Sequence, residues 1–389
     1  MDQLYEYMRR QLASTSASFH RYLFNDIAWE NHMLGLVGPR GVGKTTLFLQ
    51  RIKEEHSLED TLYFSADHLY FSDHTLYETA ESFVKNGGKF LFIDEVHKYP
   101  NWSRELKMMY DSLPDLHVYF TGSSVLDIEK GEADLSRRAP KYLLQGLSFR
   151  EYLAIRHGME IEAVSLPEIL SHAAEIPGLV HPLPLFRDYL RRGYYPFGMD
   201  VDFPTELEQV IERTLEVDIP QYAGMTAATG RKLKRLMAVV STLAPFKPNM
   251  VQLAGKIGIS RNNVEDYLLY MEKAGMIAQL RTQASGLGAL GKAEKVYLDN
   301  TNILYCLGEK EADIGSVRET FFLNQMRVKH LVTAPPTSDF QIDDTTFEVG
   351  GKSKGRSQIK DAERGYIVKD DIEFGHGNVI PLWAFGLTY

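Results

Sequence analysis

The chain has 389 residues, more than one hydrophobic core ordinarily serves, so two to four domains are expected. Its 44% hydrophobic and 24% charged content is that of a soluble globular protein, and its strand-sized apolar runs exclude a membrane-spanning helix and a membrane partner. A net charge of −9 argues against a general nucleic-acid coat; the single cysteine, Cys306, excludes an internal disulfide and a cysteine-based zinc site, which fits a reducing cytoplasm.

Residues 1 to about 30 read as helical, with Leu4, Met8, Leu12 and later Phe19, Tyr22 and Leu23 as apolar contacts expected beside the first strand. From 31 to about 155, strands and helices alternate. This predicts a three-layer α/β domain with a parallel sheet, and the pattern Gly38-Pro39-Arg40-Gly41-Val42-Gly43-Lys44-Thr45 after its first strand points to the P-loop NTPase class. Residues 33–37 read as a short buried strand.

That strand runs into Gly38-Pro39-Arg40-Gly41-Val42-Gly43-Lys44-Thr45, which fits the phosphate-binding pattern G-x-x-x-x-G-K-[ST] at every fixed position. Glycines let successive N–H groups turn inward as an anion nest. Lys44 offers a point charge to the β and γ phosphates, and Thr45 a hydroxyl to Mg²⁺. The helix continuing through Thr46 directs its positive end at the same place. Residues 61–65 are a second strand.

Lys89-Phe90-Leu91-Phe92-Ile93-Asp94-Glu95 reads as a central parallel strand that ends on two carboxylates at the active edge. In this position Asp94 holds Mg²⁺ and Glu95 orients and deprotonates the attacking water. No Asn-Lys-x-Asp pattern occurs, which disfavours GTP. Residues 116–120 form a further strand ending in Thr121-Gly122-Ser123-Ser124. Thr121 or Ser123 would contact the γ-phosphate or the water; the alternative is a turn that caps the next helix. Then comes Asp134-Leu135-Ser136-Arg137-Arg138. Arg137 or Arg138 would meet transition-state charge, in the same chain or a neighbour, unless the pair is simply solvated. Residues 142–144 are the last strand, before a helix that begins near 147.

Residues 156 to about 228 read as a helical lid or linker, in which the aromatic turn 191–196 is packing. Residues 229–308 carry a helix-turn-helix pattern: helices over 231–243 and 251–257, a turn at 258–260, and a recognition helix over 261–274. Strands at 277–280 and 295–298, flanking a glycine-rich hairpin, complete a winged helix. Arg261, Asn262 and Asn263 sit where base contacts to DNA would lie. Glu265, Asp266 and Glu272 oppose phosphates, whereas Arg231, Lys232, Lys234, Arg235, Lys292 and Lys295 add positive charge. The alternative is a protein-docking module.

From 309 to 389 a helix containing Glu319 and a hairpin carrying Asp339 and Glu348 suggest a small α/β domain of restriction-endonuclease type. Gly350 stands where a lysine is usual, with Lys352 nearest, so a fold without cleavage activity is expected.

With these segments in order, the chain resembles predicted bacterial and archaeal ATPases of the AAA group, whose C-terminal half carries a winged helix and a nuclease-like end. The resemblance rests on the phosphate loop through Thr46, on Asp94-Glu95-Val96-His97-Lys98-Tyr99-Pro100-Asn101-Trp102, on Thr121-Gly122-Ser123-Ser124, and on Leu147-Ser148-Phe149-Arg150-Glu151-Tyr152. Later markers are Phe347-Glu348-Val349-Gly350-Gly351-Lys352 and Pro381-Leu382-Trp383-Ala384-Phe385-Gly386. It implies ATP rather than GTP and charge stabilisation near Arg138, although Arg137-Arg138 replaces the more usual Gly-Arg. The expected activity is Mg-ATP hydrolysis coupled to a C-terminal module that binds DNA or a protein, with oligomers possible. The competing functions are an ATP-driven nuclease and a transcription regulator using ATP as a ligand.

Overall fold

The computed structural model describes residues 1–123, 135, 137–172, 176, 178–283, 293–308, 312–355, 359 and 362–389. Ser124, Asp134, Ser136, Lys292 and the glycine-rich segment 284–292 therefore lie outside the described residues. The chain divides into two compact units, Met1–Gln145 and Gly146–Tyr389.

The first unit runs α1 (Asp2–Ser14), β1 (Met33–Gly38), α2 (Lys44–Glu55), β2 (Thr61–Ser65), α3 (Leu76–Lys85), β3 (Phe90–Asp94), α4 (Trp102–Ser112), β4 (His117–Ser123) and β5 (Lys141–Leu143). The strands form one parallel sheet in the order β2-β3-β4-β1-β5. All residues of β1 and β2 are buried, as strands covered on both faces require. This order inserts β4 between β1 and β3, so the C-terminal ends of three strands meet where the phosphate loop begins.

Leu4, Met8 and Leu12 are buried at a four-residue spacing, as expected, but α1 packs on β2 and α2 rather than beside β1. The helix also stops at Ser14, and Phe19, Tyr22 and Leu23 lie in turns. The hydroxyls of Ser14 and Thr15 both donate to the Gln11 carbonyl, at 3.0 and 2.8 Å, and compete with further helix.

The irregular segment 15–32 has its own work. Arg21 is buried and donates to the carbonyls of Val42 and Gln145. Tyr22 donates to the Leu143 carbonyl at 3.0 Å and accepts from the Gln145 amide at 3.3 Å. The Ala28 amide donates to the Tyr142 hydroxyl at 3.1 Å. The segment thus lies along the open side of β5. Trp29 enters the core, edge-on to Tyr119 at 5.4 Å, next to the Phe48–Phe92 pair at 5.3 Å.

The second unit opens with α5 (Phe149–His157), where Ser148 and Glu151 make a reciprocal capping box. It continues through α6 (Leu166–Leu170), α7 (Pro182–Arg192) and α8 (Phe203–Arg213), which passes through a π turn into α9 (Ile219–Tyr222). Next come α10 (Ala227–Leu243), α11 (Met250–Ile257), α12 (Arg261–Lys273) and the antiparallel pair β6 (Ile277–Arg281) and β7 (Ala293–Leu298). Gly258 ends α11 at φ 70°, a left-handed geometry that lets α12 start three residues later. The Ser260 hydroxyl caps α12 by accepting the Asn263 amide at 3.2 Å.

After α13 (Thr301–Leu307) and α14 (Ile314–Met326), β8 (Val332–Thr333), β9 (Phe340–Ile342), β10 (Thr345–Gly350), β11 (Gly365–Lys369) and β12 (Val379–Pro381) form a mixed sheet ordered β12-β11-β10-β9-β8. Tyr194 and Tyr195 are 1% exposed each, so the aromatic turn is packing, as expected. Among the described residues no helix is long and apolar enough to cross a membrane.

Candidate functional site

The phosphate loop leaves β1 at Gly38, where a Cβ would lie 2.3 Å from the Leu144 carbonyl oxygen. Gly41 and Gly43 take φ values of 82° and 98°, conformations open to glycine and strained for other residues. Pro39, Arg40 and Val42 form the body of the loop, and α2 starts at Lys44. Lys44 is 7% exposed, and its ammonium donates to the carbonyls of Gly38 and Pro39 at 2.9 and 2.8 Å. The lysine is thereby held inside the loop that would receive phosphate. Thr46, on the first turn of α2, is exposed.

Asp94 closes β3 with its carboxylate 5% exposed. It accepts three hydroxyls: Thr45 at 2.7 Å, Tyr63 at 3.1 Å, and Thr121. Burial pushes its carboxyl upward, against the pull of the Thr121 and Thr45 hydrogen bonds. Thr45 and Asp94 are hard oxygen donors brought together from two elements, the chemistry that Mg²⁺ prefers. The residues present fit that ion.

Glu95 follows in the left-handed region at φ 50°. Its amide donates to the Thr121 hydroxyl at 2.9 Å. Thr121 is fully buried, and its hydroxyl is spent on Asp94 and Glu95. That places it between the two carboxylate residues. Ser123 lies further along β4, in register with Gly38 and half-buried, so it is the one nearer the loop.

The Glu95 carboxylate lies 2.9 Å from the Lys98 ammonium and 3.7 Å from His97 Nε2. Burial pushes this carboxyl up, but His97, Lys98 and Lys44 outweigh it and bring it below the usual range. Burial also drives His97 down to about 4. The ring is therefore neutral at neutral pH, and Lys98 is the cation that counts there.

Arg138 is bound in its own chain: Nε donates to Asp111 at 3.1 Å, and the guanidinium lies 5.7 Å from the Tyr110 ring centroid. Arg137 is exposed.

In the second unit Arg261, Asn262 and Asn263 are exposed on the first turn of α12, and Arg261 lies 3.4 Å from Glu265. Glu272 is turned to Arg281 and Gln279. Lys234 pairs with Glu212 and Glu216. Lys295, expected among the positive charges of the wing, instead reaches Glu319 at 3.1 Å and Asp339 at 3.6 Å.

Glu319, Asp339 and Glu348 do converge, but around lysines. Lys354 Nζ lies 2.5 Å from Glu348, which is fully buried, and 3.9 Å from Asp339. The Lys354 stem covers Gly350, where a Cβ would meet it at 2.6 Å. The cation absent at position 350 thus arrives from Lys354, not from Lys352. Among the described residues no group of three or more His, Cys, Asp or Glu is arranged to hold a metal.

Tyr63 and Asp67 in the first unit and Lys354 in the second were not singled out in the sequence, and His97 and Lys98 entered only as markers of the resemblance, with no role at the site. A lysine three residues past Glu95, on the same short turn, was the available signal for Lys98.

Residues 30–153 match the family model of the AAA domain, and residues 183–313 match a domain of unknown function (DUF8612). The uncharacterized protein MJ1637 of Methanocaldococcus jannaschii is 26% identical over 410 residues, which cover 92% of this chain and 84% of that protein. Among solved structures, the Thermotoga maritima RuvB Holliday junction branch migration motor is 16% identical, covers 70% of this chain and 89% of its own, and has a TM-score of 0.28. The S. cerevisiae Hsp104-ADP complex is 17% identical, covers 69% and 40%, and has a TM-score of 0.30. The family match over residues 30–153 and the parallel sheet support an AAA-type P-loop ATPase.

Proposed function

We propose that the first unit binds and hydrolyses Mg-ATP. The observation that carries this is the junction of Thr45 and Asp94 at 2.7 Å, beside a loop that already encloses the Lys44 ammonium. The loop amides from Gly38 to Thr46 and Lys44 bind the phosphates. Thr45 and Asp94 hold Mg²⁺, which, when bound, screens phosphate charge. Glu95 takes the proton of the attacking water. Thr121 positions Glu95 and Asp94, and Ser123 is the polar group nearer the γ-phosphate. Arg138, released from Asp111, meets the charge that develops in the transition state, within the chain or in a neighbouring copy. The AAA match over residues 30–153 supports ATP as the nucleotide.

The second unit is then the element that ATP turnover switches. The succession of α10–α12 and the antiparallel pair β6 and β7 supports reading this part as a winged helix, and the exposed Arg261, Asn262 and Asn263 suit a DNA edge or a polar protein surface. The terminal sheet is read as a relative of a nuclease, with Glu319, Asp339 and Glu348 paired to Lys295 and Lys354, and the plasmid test decides whether it cleaves.

The test is ATP turnover by the purified full chain, with and without DNA, with Lys44→Ala as control. Turnover lost in Lys44→Ala and lowered about tenfold or more in Glu95→Gln, which still binds ATP, supports the proposal. Wild-type turnover in Glu95→Gln would remove Glu95 from its role. Stimulation by DNA assigns the winged helix to nucleic acid, and indifference assigns it to a protein. Plasmid incubated with Mg²⁺ or Mn²⁺ and ATP is expected to stay intact.

A further inference from the structure

We infer that Lys98, shared between Glu95 and Asp67, is a positioning residue that holds the Glu95 carboxylate back from water. This rests on Glu95 being the base of the proposed ATPase. The Glu95 backbone is fixed by its bond to Thr121 and by its left-handed φ, so the place of its carboxylate is set by side-chain rotation and pairing. Lys98 supplies the pairing. Its ammonium lies 2.9 Å from Glu95 Oε2 and 2.6 Å from Asp67 Oδ2. Asp67 is anchored in turn by the Ser65 hydroxyl at 2.5 Å, and Ser65 is in register with Asp94 across β2 and β3.

One ammonium therefore sits between two carboxylates that approach from adjacent strands. An oxygen engaged with an ammonium is poorly placed to receive a proton from water, since a general base must reach that water directly. The pair is reversible. Lys98 is 27% exposed and Glu95 24%, and partly solvated ion pairs are weak. Asp67 weakens the hold further by drawing on the same charge.

The arrangement requires opposite effects from two neutralising changes. Lys98→Met frees Glu95, and kcat at saturating ATP is expected to rise about threefold or more. Asp67→Asn leaves Lys98 to Glu95 alone, and kcat is expected to fall by a similar factor. The double variant is expected to follow Lys98→Met. Affinity for a fluorescent ATP analogue stays unchanged in all three. Lys98→Gln serves as a second neutral variant should Lys98→Met fold poorly.

A kcat at or below wild type in both Lys98 variants overturns the proposal, as does a rise in Asp67→Asn. Failure of the underlying ATPase assignment looks different: wild-type protein would show no turnover that Lys44→Ala removes, and the Lys98 proposal would fall with it.

Discussion

The Thr121 hydroxyl donates to the Asp94 carboxylate while accepting the Glu95 amide at 2.9 Å, so one buried side chain on β4 fixes the last residue of β3 and the residue that follows it. Thr121→Val keeps the shape and removes both bonds. It is expected to destabilise the protein by about 1–3 kcal/mol, the cost of leaving buried partners unpaired. Misplacing both carboxylates is expected to lower ATP turnover about tenfold or more. Thr121→Ser, which restores the hydroxyl, recovers most of both. Chemical unfolding and steady-state turnover of the two variants check this; a Thr121→Val enzyme as active as wild type would sink it.

Arg138 makes a partly exposed pair with Asp111, of the kind worth less than about 1 kcal/mol. If charge stabilisation is its work, Arg138→Ala lowers turnover about tenfold or more, while Asp111→Ala and Arg137→Ala stay within about twofold. Equal, small effects in all three would mark Arg138 as surface only. Mixing Arg138→Ala with Lys44→Ala protein adds a readout for action in trans, because only then does turnover partly return.

Two histidines make the protein sensitive to acid. Burial pushes both His56 and His97 down to about 4 from 6.5. Between those values the unfolded chain binds protons on these rings and the folded chain does not. Their contribution is therefore complete above pH 6.5 and shrinks as pH falls, by up to ~3 kcal/mol near pH 4 for the buried His97 ring and by less for His56, which is half-buried and partly screened by solvent. Denaturant midpoints from pH 7.5 to 4.5 are expected to fall, with a shallower slope in His97→Gln. An unchanged slope in that variant would contradict the assignment.

In the second unit Glu348 is fully buried and Lys354 is its cation. Lys354→Met takes the ammonium away from the buried carboxylate and is expected to cost about 2 kcal/mol or more, after allowance for the partly exposed lysine. Glu348→Gln combined with Lys354→Met should recover most of the loss. Gly350→Ala, which collides with the Lys354 stem, should resemble the single Lys354 variant in thermal unfolding.

What could be read in the chain was contiguous. The phosphate loop and Phe90-Leu91-Phe92-Ile93-Asp94-Glu95 declare themselves because their spacing is local and their chemistry needs few residue types. Strand order is not local. Tyr63 reaches Asp94 and Lys98 reaches Asp67 only because β2 lies beside β3, a neighbourhood that no periodicity encodes. Thr121 was legible as a polar residue at a strand end, but not as a bridge, since that depends on β4 lying between β3 and β1. Lys354 was missed because a long side chain filled a slot four residues away. Residues 19–23 looked helical by composition, and serine and threonine hydroxyls had already ended the helix.

The segment 15–32 has a consequence for how this domain can be handled. Its Arg21 and Tyr22 bonds, with Ala28 on Tyr142, cover the free side of β5, a strand of three residues with Leu143 47% exposed. A shortened chain beginning at Met33 would retain every residue of the phosphate loop and still present bare amides and carbonyls along one border. Such a border invites a strand from another molecule. Precipitation of the trimmed protein would then report a missing guard, not a missing core.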